Sequence, residues 1–438
     1  MRTFGRKHGP TFKVCLINSP CPDLEDDRLE PPLGLLYLAS VIRESGNYVC
    51  LIDLAGIRNP DSASELPNGF DLYGFSTYSV TYHTSLGLAL AVKQRNPRAI
   101  IVAGGPHATA LPERVSEDGF DVVITGEGEV AIEQLLQILQ DGQRPPRIMA
   151  TPHPEPLDDL PIPAYELVDL ASYHRRVSGE PSLSVLSSRG CPFPCTFCNS
   201  NIMGRARRVR YRSAESVAAE IRYLKSRYGI EHFRFQDDLF TSNPGRIAEL
   251  TPLLQAEGIV YRCFARVTGF TPEIARMLAN SGCRHVSFGV ESGSPSILGR
   301  HAMNKRQNPE QIRRALNNAA RAGLMSRIYL IVGFPGETEQ TIAETLALVK
   351  DCPWDEFMVY PLIAYPGTPI HDNPERFGIV TIDHDYSQYL QIGRERRAGF
   401  TIRTRHFGPD QVRTWRDRVI NELIADGRTW AGLSKDFK

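Results

Sequence analysis

The sequence predicts an α/β protein made of two parallel-sheet units in tandem: an N-terminal doubly wound sheet, then a partial (β/α)6 barrel, with a small C-terminal segment. Three observations carry this reading. Apolar strand-like runs alternate with amphipathic helical stretches through the first third of the chain. A second alternation of six such runs begins near Ser182. Between the two lies TPHPEPLDDLPIPA, whose prolines and acids suit an extended linker better than a helix or a strand. At 438 residues the chain is also too long for one ordinary core. The expected boundaries are 1–150 for the first domain, 151–180 for the linker, 181–370 for the barrel and 371–438 for a substrate-covering cap.

In the first domain the strand-like runs are FKVCLIN, YVCLIDL, FDLYGFST, AIIVAGG and FDVVITG, with helices expected near 34–45 and 85–94. Strands alternating with helices imply a parallel sheet with crossover connections. Ligands of such sheets sit beyond the carboxyl ends of the strands. Those ends carry Ser76, Thr77 and Tyr78, then Gly104, Gly105 and His107, then Gly126 and Glu127. Glycine pairs there either let a backbone approach a ligand or simply make tight turns.

In the second domain the runs are LSVLSS, HFRFQD, YRCFAR, HVSFGV, RIYLIVG and FMVYPLI, separated by five helices between 214 and 350. Six βα units suggest a parallel barrel open on one side, with chemistry at the carboxyl ends of its strands. The remaining tail holds Tyr386, Tyr389, Arg394 and Arg396 as candidate substrate contacts, and a charged amphipathic helix near 409–426.

Composition narrows the function class. Fifty Lys and Arg balance fifty Asp and Glu, so no overall field for nucleic acid or an acidic membrane is present. The first apolar run, residues 14–17, is too short for a signal-peptide core or a membrane span, and a cytoplasmic protein is expected. Of nine cysteines, six (Cys15, Cys21, Cys50, Cys263, Cys283 and Cys352) stand singly and three crowd into eight residues. That distribution favours reduced thiols with one metal site over a disulfide framework.

The crowded three are Cys191, Cys195 and Cys198 in SSRGCPFPCTFCNS, directly after the first barrel strand. Gly190, Pro192 and Pro194 keep this loop from forming a regular helix. A structural zinc site needs a fourth Cys or His ligand, and none stands at a suitable spacing. Three ligands on a four-iron cluster leave one iron open for chemistry.

This loop resembles the CxxxCxxC signature of the radical S-adenosylmethionine (SAM) superfamily, with Phe197 as the aromatic before the third cysteine. The resemblance implies a 4Fe-4S cluster whose open iron chelates SAM, reductive cleavage to a 5′-deoxyadenosyl radical, and an electron donor such as flavodoxin or ferredoxin. It continues along the barrel. FRFQDDLFTSN resembles the second-strand segment, implying that Asp237 or Asp238 meets the SAM ammonium, although alone such a pair reads as a helix cap. ARVTGFTPEIARMLANSGC implies Arg266 near the SAM carboxylate. SFGVESGSPSIL implies Glu291 on a ribose hydroxyl and Gly293 giving backbone room. IYLIVGFPGETEQT implies Gly333, Pro335 and Gly336 around the adenine. PLIAYPGTPI matches the sixth unit.

Ahead of it, PPLGLLYLASVIRESGNYVCLIDL, GFSTYSVTYHTSLGLALAVKQRNP, IIVAGGPHAT and DVVITGEGEVAIEQLL resemble the cobalamin-binding domain of a radical SAM subgroup. The resemblance implies cobalamin at Ser76, Thr77, Tyr78, Gly104, Gly105, His107, Gly126 and Glu127. No DxHxxG loop follows the first strand, which fits either a cobalt without a histidine below it or a domain that has lost its cofactor. His107, in a GGPHAT segment, suits a turn or contact role better than cobalt ligation. The function implied is methylation of an unactivated carbon in a small natural-product or lipid intermediate. The alternative is a non-methylating radical reaction such as cyclisation, dehydration or epimerisation, for instance of a sugar. A mere iron-sulfur or corrinoid carrier would not need SAM-like motifs on four further strands.

Overall fold

In the computed structural model, residues 11–58, 66–204, 208–299, 301–393 and 399–431 are described. Arg394 and Arg396 lie outside them. The chain forms two compact units: one from the segment up to Tyr173 with short stretches beginning at Asn199 and Asp385, the other from most of the chain after His174.

The first unit is a six-stranded, all-parallel sheet: β1 (Lys13–Asn18), β2 (Tyr48–Asp53), β3 (Leu72–Ser76), β4 (Ile100–Gly104), β5 (Val122–Thr125) and β6 (Ile148–Ala150). The order is β2-β1-β3-β4-β5-β6. Five strands were expected; β6 is three residues long, with one buried side chain, and gives no apolar run to read. The other strands carry near-continuous apolar runs because helices cover both faces of a parallel sheet. Cys15, Ile17, Tyr73, Phe75, Ala89, Val92, Ile101, Ala103 and Val123 form part of one core cluster. Strand order reverses between β1 and β3, so the crevice where such sheets take ligands opens beside Asn18 and Ser76.

The second unit is an eight-stranded sheet in the order β18-β15-β14-β13-β12-β11-β8-β7. Its six central strands are β8 (Glu180–Val185), β11 (His232–Phe235), β12 (Val260–Ala265), β13 (Cys283–Glu291), β14 (Met325–Val332) and β15 (Glu356–Pro361), parallel and in chain order. They are the six strands expected of the partial barrel. Two short edge strands were not foreseen: β7 (Arg176–Val177), antiparallel to β8, and β18 (Thr429–Trp430), parallel to β15. Two ribbons complete the unit, β9 (Ser188–Arg189) with β10 (Arg210–Tyr211) and β16 (Ile379–Ile382) with β17 (Ile402–Thr404).

Three of the barrel helices start where the sequence offers a capping side chain followed by proline. Asn243 accepts from the amide of Arg246, Thr271 from that of Ile274 and Asn308 from that of Gln311, each directly before a proline that needs no N–H partner. Gly229 and Gly258 end two helices in the left-handed region that favours glycine. The tail is divided: the stretch from Asp385 clusters with the first unit, while Pro409–Ala425 and β18 belong to the second. Among the described residues no helix is long and apolar enough to cross a membrane.

Thr77 ties the carboxyl ends of β3 and β4 together. Its amide and its Oγ1 both donate to the Gly104 carbonyl, at 2.8 and 2.9 Å, and Oγ1 accepts from the Ala108 amide at 3.2 Å. Gly105 turns there at φ 98°, where a Cβ would come within 2.9 Å of the Thr77 carbonyl oxygen. Thr77→Val leaves the buried Ala108 amide without its acceptor and should destabilise the protein by about 1–2 kcal/mol. Urea unfolding checks this; an unchanged midpoint would show that the hydroxyl is dispensable.

Candidate active site

The cysteine loop leaves β8 at the carboxyl end of the barrel and is closed at its base by the β9–β10 ribbon. Gly190 takes φ 96° there, and the Arg208 carbonyl occupies the space a side chain would need. Prolines and an irregular course leave the loop's polar backbone groups to be satisfied from elsewhere. Residues 302–307 supply much of this. The Thr196 amide donates to the Met303 carbonyl at 3.0 Å, its Oγ1 donates to the Ala302 carbonyl at 2.6 Å, and Asn304 Nδ2 donates to the Pro194 carbonyl at 3.0 Å. Asn304 and Arg306 adopt φ near 50° and 55° to make this contact.

Cys195 is buried, while Cys191 and Cys198 are half-buried. Burial pushes the Cys191 thiol up to about 11, and Cys198, Asp238 and Cys195 add to the effect, so the three sulfurs share one electrostatic neighbourhood. Among the described residues no three His, Cys, Asp or Glu groups converge as on a single ion. Thiolates that each bind a different iron of a cluster need not converge in that way, and three of them want a cationic centre to ionise against. The donor set therefore fits an iron-sulfur cluster.

Arg266 is built into this loop. Its Nη1 donates to Cys195 Sγ at 3.5 Å, its guanidinium lies 3.8 Å from the Phe193 ring centroid, its Nε donates to Thr268 Oγ1 at 3.1 Å, and its Nη2 donates to the Lys305 carbonyl. Lys305 is buried and pairs with Glu291 at 2.6 Å. Glu291 stands at the end of β13, after a register shift, with φ 64°. Such a backbone costs a non-glycine residue roughly 1–3 kcal/mol and persists only where its surroundings hold it; the Lys305 ion pair is one such hold. Lys305, Asn304 and Gln307 were missed by sequence reasoning. Their one signal is a run of polar residues, NKRQN, in a connection that would otherwise be short.

The two aspartates of the β11 segment have different tasks. Asp237 is buried and accepts from the Ser187 amide at 2.7 Å, from Ser187 Oγ at 2.6 Å and from Ser188 Oγ at 2.5 Å, anchoring the entry to the cysteine loop. Asp238 is exposed and accepts from the Gly190 amide at 3.1 Å. Gly293 is required by packing: a Cβ would lie 2.7 Å from Thr345 Cα, and its amide donates to Thr345 Oγ1. Gly333, at φ 93°, is covered by Val412, whereas Gly336 is exposed beside half-buried Pro335. Phe197 meets Phe334 edge-on at 5.3 Å.

In the first unit, Gly126 donates to Thr109 Oγ1 and is covered by His153 and Met203. Glu127 is buried, with His153 Nδ1 at 3.8 Å. Gly105 and Gly126 thus pack closely against the chain's own atoms, while Gly104 gives its carbonyl to Thr77 and is not tightly packed at its Cα. His107 is 1% exposed, lies against Tyr82 and Tyr386, and bonds through Nδ1 to Ser79 Oγ at 3.0 Å. Burial, with His83 nearby, lowers its pKa to about 4, which keeps the ring neutral. Tyr78, by contrast, is 51% exposed at the end of β3, next to the crevice between β1 and β3. An exposed aromatic there fits a large flat ligand. Tyr389 is buried and meets Tyr386 edge-on at 5.2 Å.

Comparison with known proteins agrees with both units. The Radical SAM superfamily model matches residues 185–349 and the B12 binding domain model residues 27–136. An uncharacterized methyltransferase of Pyrococcus horikoshii is 32% identical over 358 residues, covering 77% of this chain and 77% of the relative. The cytidylyl-2-hydroxyethylphosphonate methyltransferase of Streptomyces wedmorensis is 25% identical, covering 76% of each chain. The anaerobic magnesium-protoporphyrin IX monomethyl ester cyclase of Rubrivivax gelatinosus is 24% identical, covering 82% of this chain and 68% of the cyclase. The radical SAM methyltransferase TsrM of Kitasatospora setae shares the fold, with a TM-score of 0.67 at 20% identity over 85% of this chain and 77% of TsrM.

Glu337 fixes the turn that carries Phe334. It is buried and accepts from the amides of Gly333 and, at 3.1 Å, Phe334, yet burial outweighs these bonds and pushes its carboxyl from 4.5 up to about 8. The folded state thus holds this proton more tightly than the unfolded chain. Its stabilising effect is complete below pH 4.5 and is lost as pH rises to about 8. Glu337→Gln keeps an acceptor for both amides without a charge. Its thermal midpoint should gain on the wild type as pH rises from about 5 to about 8, and parallel curves would contradict a proton held by Glu337.

Proposed function

The chain belongs to the radical SAM superfamily and carries a B12-binding domain ahead of its radical SAM domain, and from this premise we propose that it is a cobalamin-dependent C-methyltransferase. The observation that carries the proposal is a three-thiol loop, buttressed from outside, on the same chain as a cobalamin-type sheet with an exposed aromatic at its switch point. Two of the sequence relatives above, and TsrM, are named as methyltransferases. The substrate is a small natural-product or lipid intermediate. The cyclase relative keeps a second reading open, a radical ring closure without methyl transfer.

Cys191, Cys195 and Cys198 hold the 4Fe-4S cluster, and the surface around Tyr78 takes cobalamin. When bound, these groups supply one-electron cleavage of SAM and transfer of a methyl group. What this chain adds is position. Asp238 accepts from the SAM ammonium, since Asp237 is already engaged by two serines. Glu291, oriented by Lys305, accepts from a ribose hydroxyl. Pro335 and Gly336 form the exposed turn on the adenine side. Arg266 steadies Cys195 and Phe193 as a positioning residue.

Replacing the three cysteines together by Ala should abolish both the cluster and 5′-deoxyadenosine formation. Four irons retained in that variant would overturn the assignment. Glu291→Ala should weaken SAM binding by roughly 1.5–3 kcal/mol, as read by calorimetry. Unchanged affinity with a lower melting temperature would make Glu291 a purely structural residue.

The reaction itself is decided by turnover with methyl-labelled SAM. Methyl transfer places label in the product, with one 5′-deoxyadenosine and one S-adenosylhomocysteine formed. In paramagnetic resonance, bound cobalt(II) should show no histidine-nitrogen coupling, because His107 is engaged by Ser79 and covered by Tyr386. Label absent from the product while 5′-deoxyadenosine accumulates would favour the cyclisation reading.

A further inference from the structure

One face of the barrel sheet carries cations, two of them buried, that none of the roles above uses. Arg234 on β11 is in register with Arg262 on β12, and Ser287 on β13 with Arg327 on β14. Arg262 Nη2 donates to Ser287 Oγ at 3.2 Å, which puts these side chains on one face. Phe233, Phe235, Tyr261 and Phe288 alternate with them and are fully buried on the other. Glu356 on β15 answers Arg327, which donates to it from Nε at 2.7 Å and from Nη2. Arg262 has no such answer. It is 3% exposed, and no carboxylate among the described residues lies within 4 Å of it.

Higher on the same face stand aromatic rings. Tyr329 and Tyr360 stack at 5.8 Å with an interplanar angle of 18°, and Phe264 lies 6.1 Å from Tyr329. All three are only half-buried although they sit within central strands. Inward residues of a barrel filled by its own side chains would be buried. Their partial exposure is what an incompletely filled interior gives.

We propose that Arg262 receives an oxyanion of the substrate inside this barrel, a carboxylate or a phosphate, while Tyr329 and Tyr360 flank the carbon skeleton. The inference rests on the radical SAM reading and adds the substrate's chemical class. A guanidinium buried against one neutral hydroxyl is costly, and a planar oxyanion answers it with two parallel hydrogen bonds. The field agrees with the geometry. Burial and Arg327, with Arg234 and Arg175 nearby, lower Arg262 to about 9 and outweigh the opposing effect of Tyr329. Burial raises the Tyr329 phenol, yet Arg262, Arg327 and Arg234 outweigh it and bring it down to about 8.

Calorimetric titration of the full, anaerobically reconstituted chain tests this, with propionate, methylphosphonate and inorganic phosphate against neutral propionamide, and with SAM titrated in the same samples. Propionate or a phosphorus oxyanion should bind saturably and propionamide should not; which oxyanion binds tells a carboxylate substrate from a phosphorylated one. Arg262→Gln should weaken that binding at least about tenfold, the effect of a lost charge-assisted hydrogen bond, and leave SAM affinity unchanged. Arg262→Lys should fall between the two. Equal binding of propionate and propionamide, equal binding by Arg262→Gln, or no oxyanion binding at all would overturn the inference. The comparison of propionate with propionamide needs only the wild type, so it stands even if the variants fail to fold. Oxyanion binding without SAM binding would support the anion site and overturn the function proposed above.

Discussion

A loop that presents three thiols cannot also be a helix or a strand, so its backbone has to be held from outside, and much of the second unit is organised around that need. Gly190, Pro192 and Pro194 remove the regular alternatives. The amide and hydroxyl of Thr196 are taken by the carbonyls of Met303 and Ala302, and its carbonyl accepts from the Ile370 amide at 3.1 Å. Two segments distant in sequence thus fix the middle of the loop, and Asp237 fixes its entry through Ser187 and Ser188.

The same clamp carries the electrostatics. Lys305 lies in the segment that binds the loop, its carbonyl accepts from Arg266, and its ammonium pairs with Glu291. Arg266 reaches Cys195, so the sulfur loop and the acid at the end of β13 are joined through two cations. A shift of residues 302–307 would move both at once. This coupling explains how Glu291 is held at a positive φ and how buried Lys305 finds a partner: each satisfies the other.

The two sheets use their carboxyl ends differently. In the first unit the glycine turns are closed by the chain's own atoms, Thr77 against Gly105 and His153 with Met203 against Gly126, which leaves Tyr78 as the open feature at the switch point. In the second, apolar rings pack on one face of the sheet while arginines, Glu356 and tyrosines line the other. A parallel sheet with two apolar faces would have filled its barrel; this one trades packing for a charged interior.

The sequence by itself determined what depends on neighbours along the chain. Strand and helix periodicity, the Asn-Pro and Thr-Pro helix starts and the cysteine spacing are local, and each of the six central barrel strands lies where its apolar run stands. A strand as short as β6 has no periodicity to read, and the division of the tail between two units depends on contacts distant in sequence. The roles of single residues were likewise settled only by folding. Asp237 and Asp238 are adjacent in sequence, yet register gives the first to Ser187 and Ser188 and leaves the second exposed. Gly293, read from the sequence as giving backbone room, packs against the helix backbone at Thr345. Lys305 and Arg262 carry no motif; one becomes the partner of Glu291 and the other faces Ser287 inside the barrel because segments far apart in the chain bring them there. Burial and charge pairing are properties of that packing, so no reading of local spacing contains them.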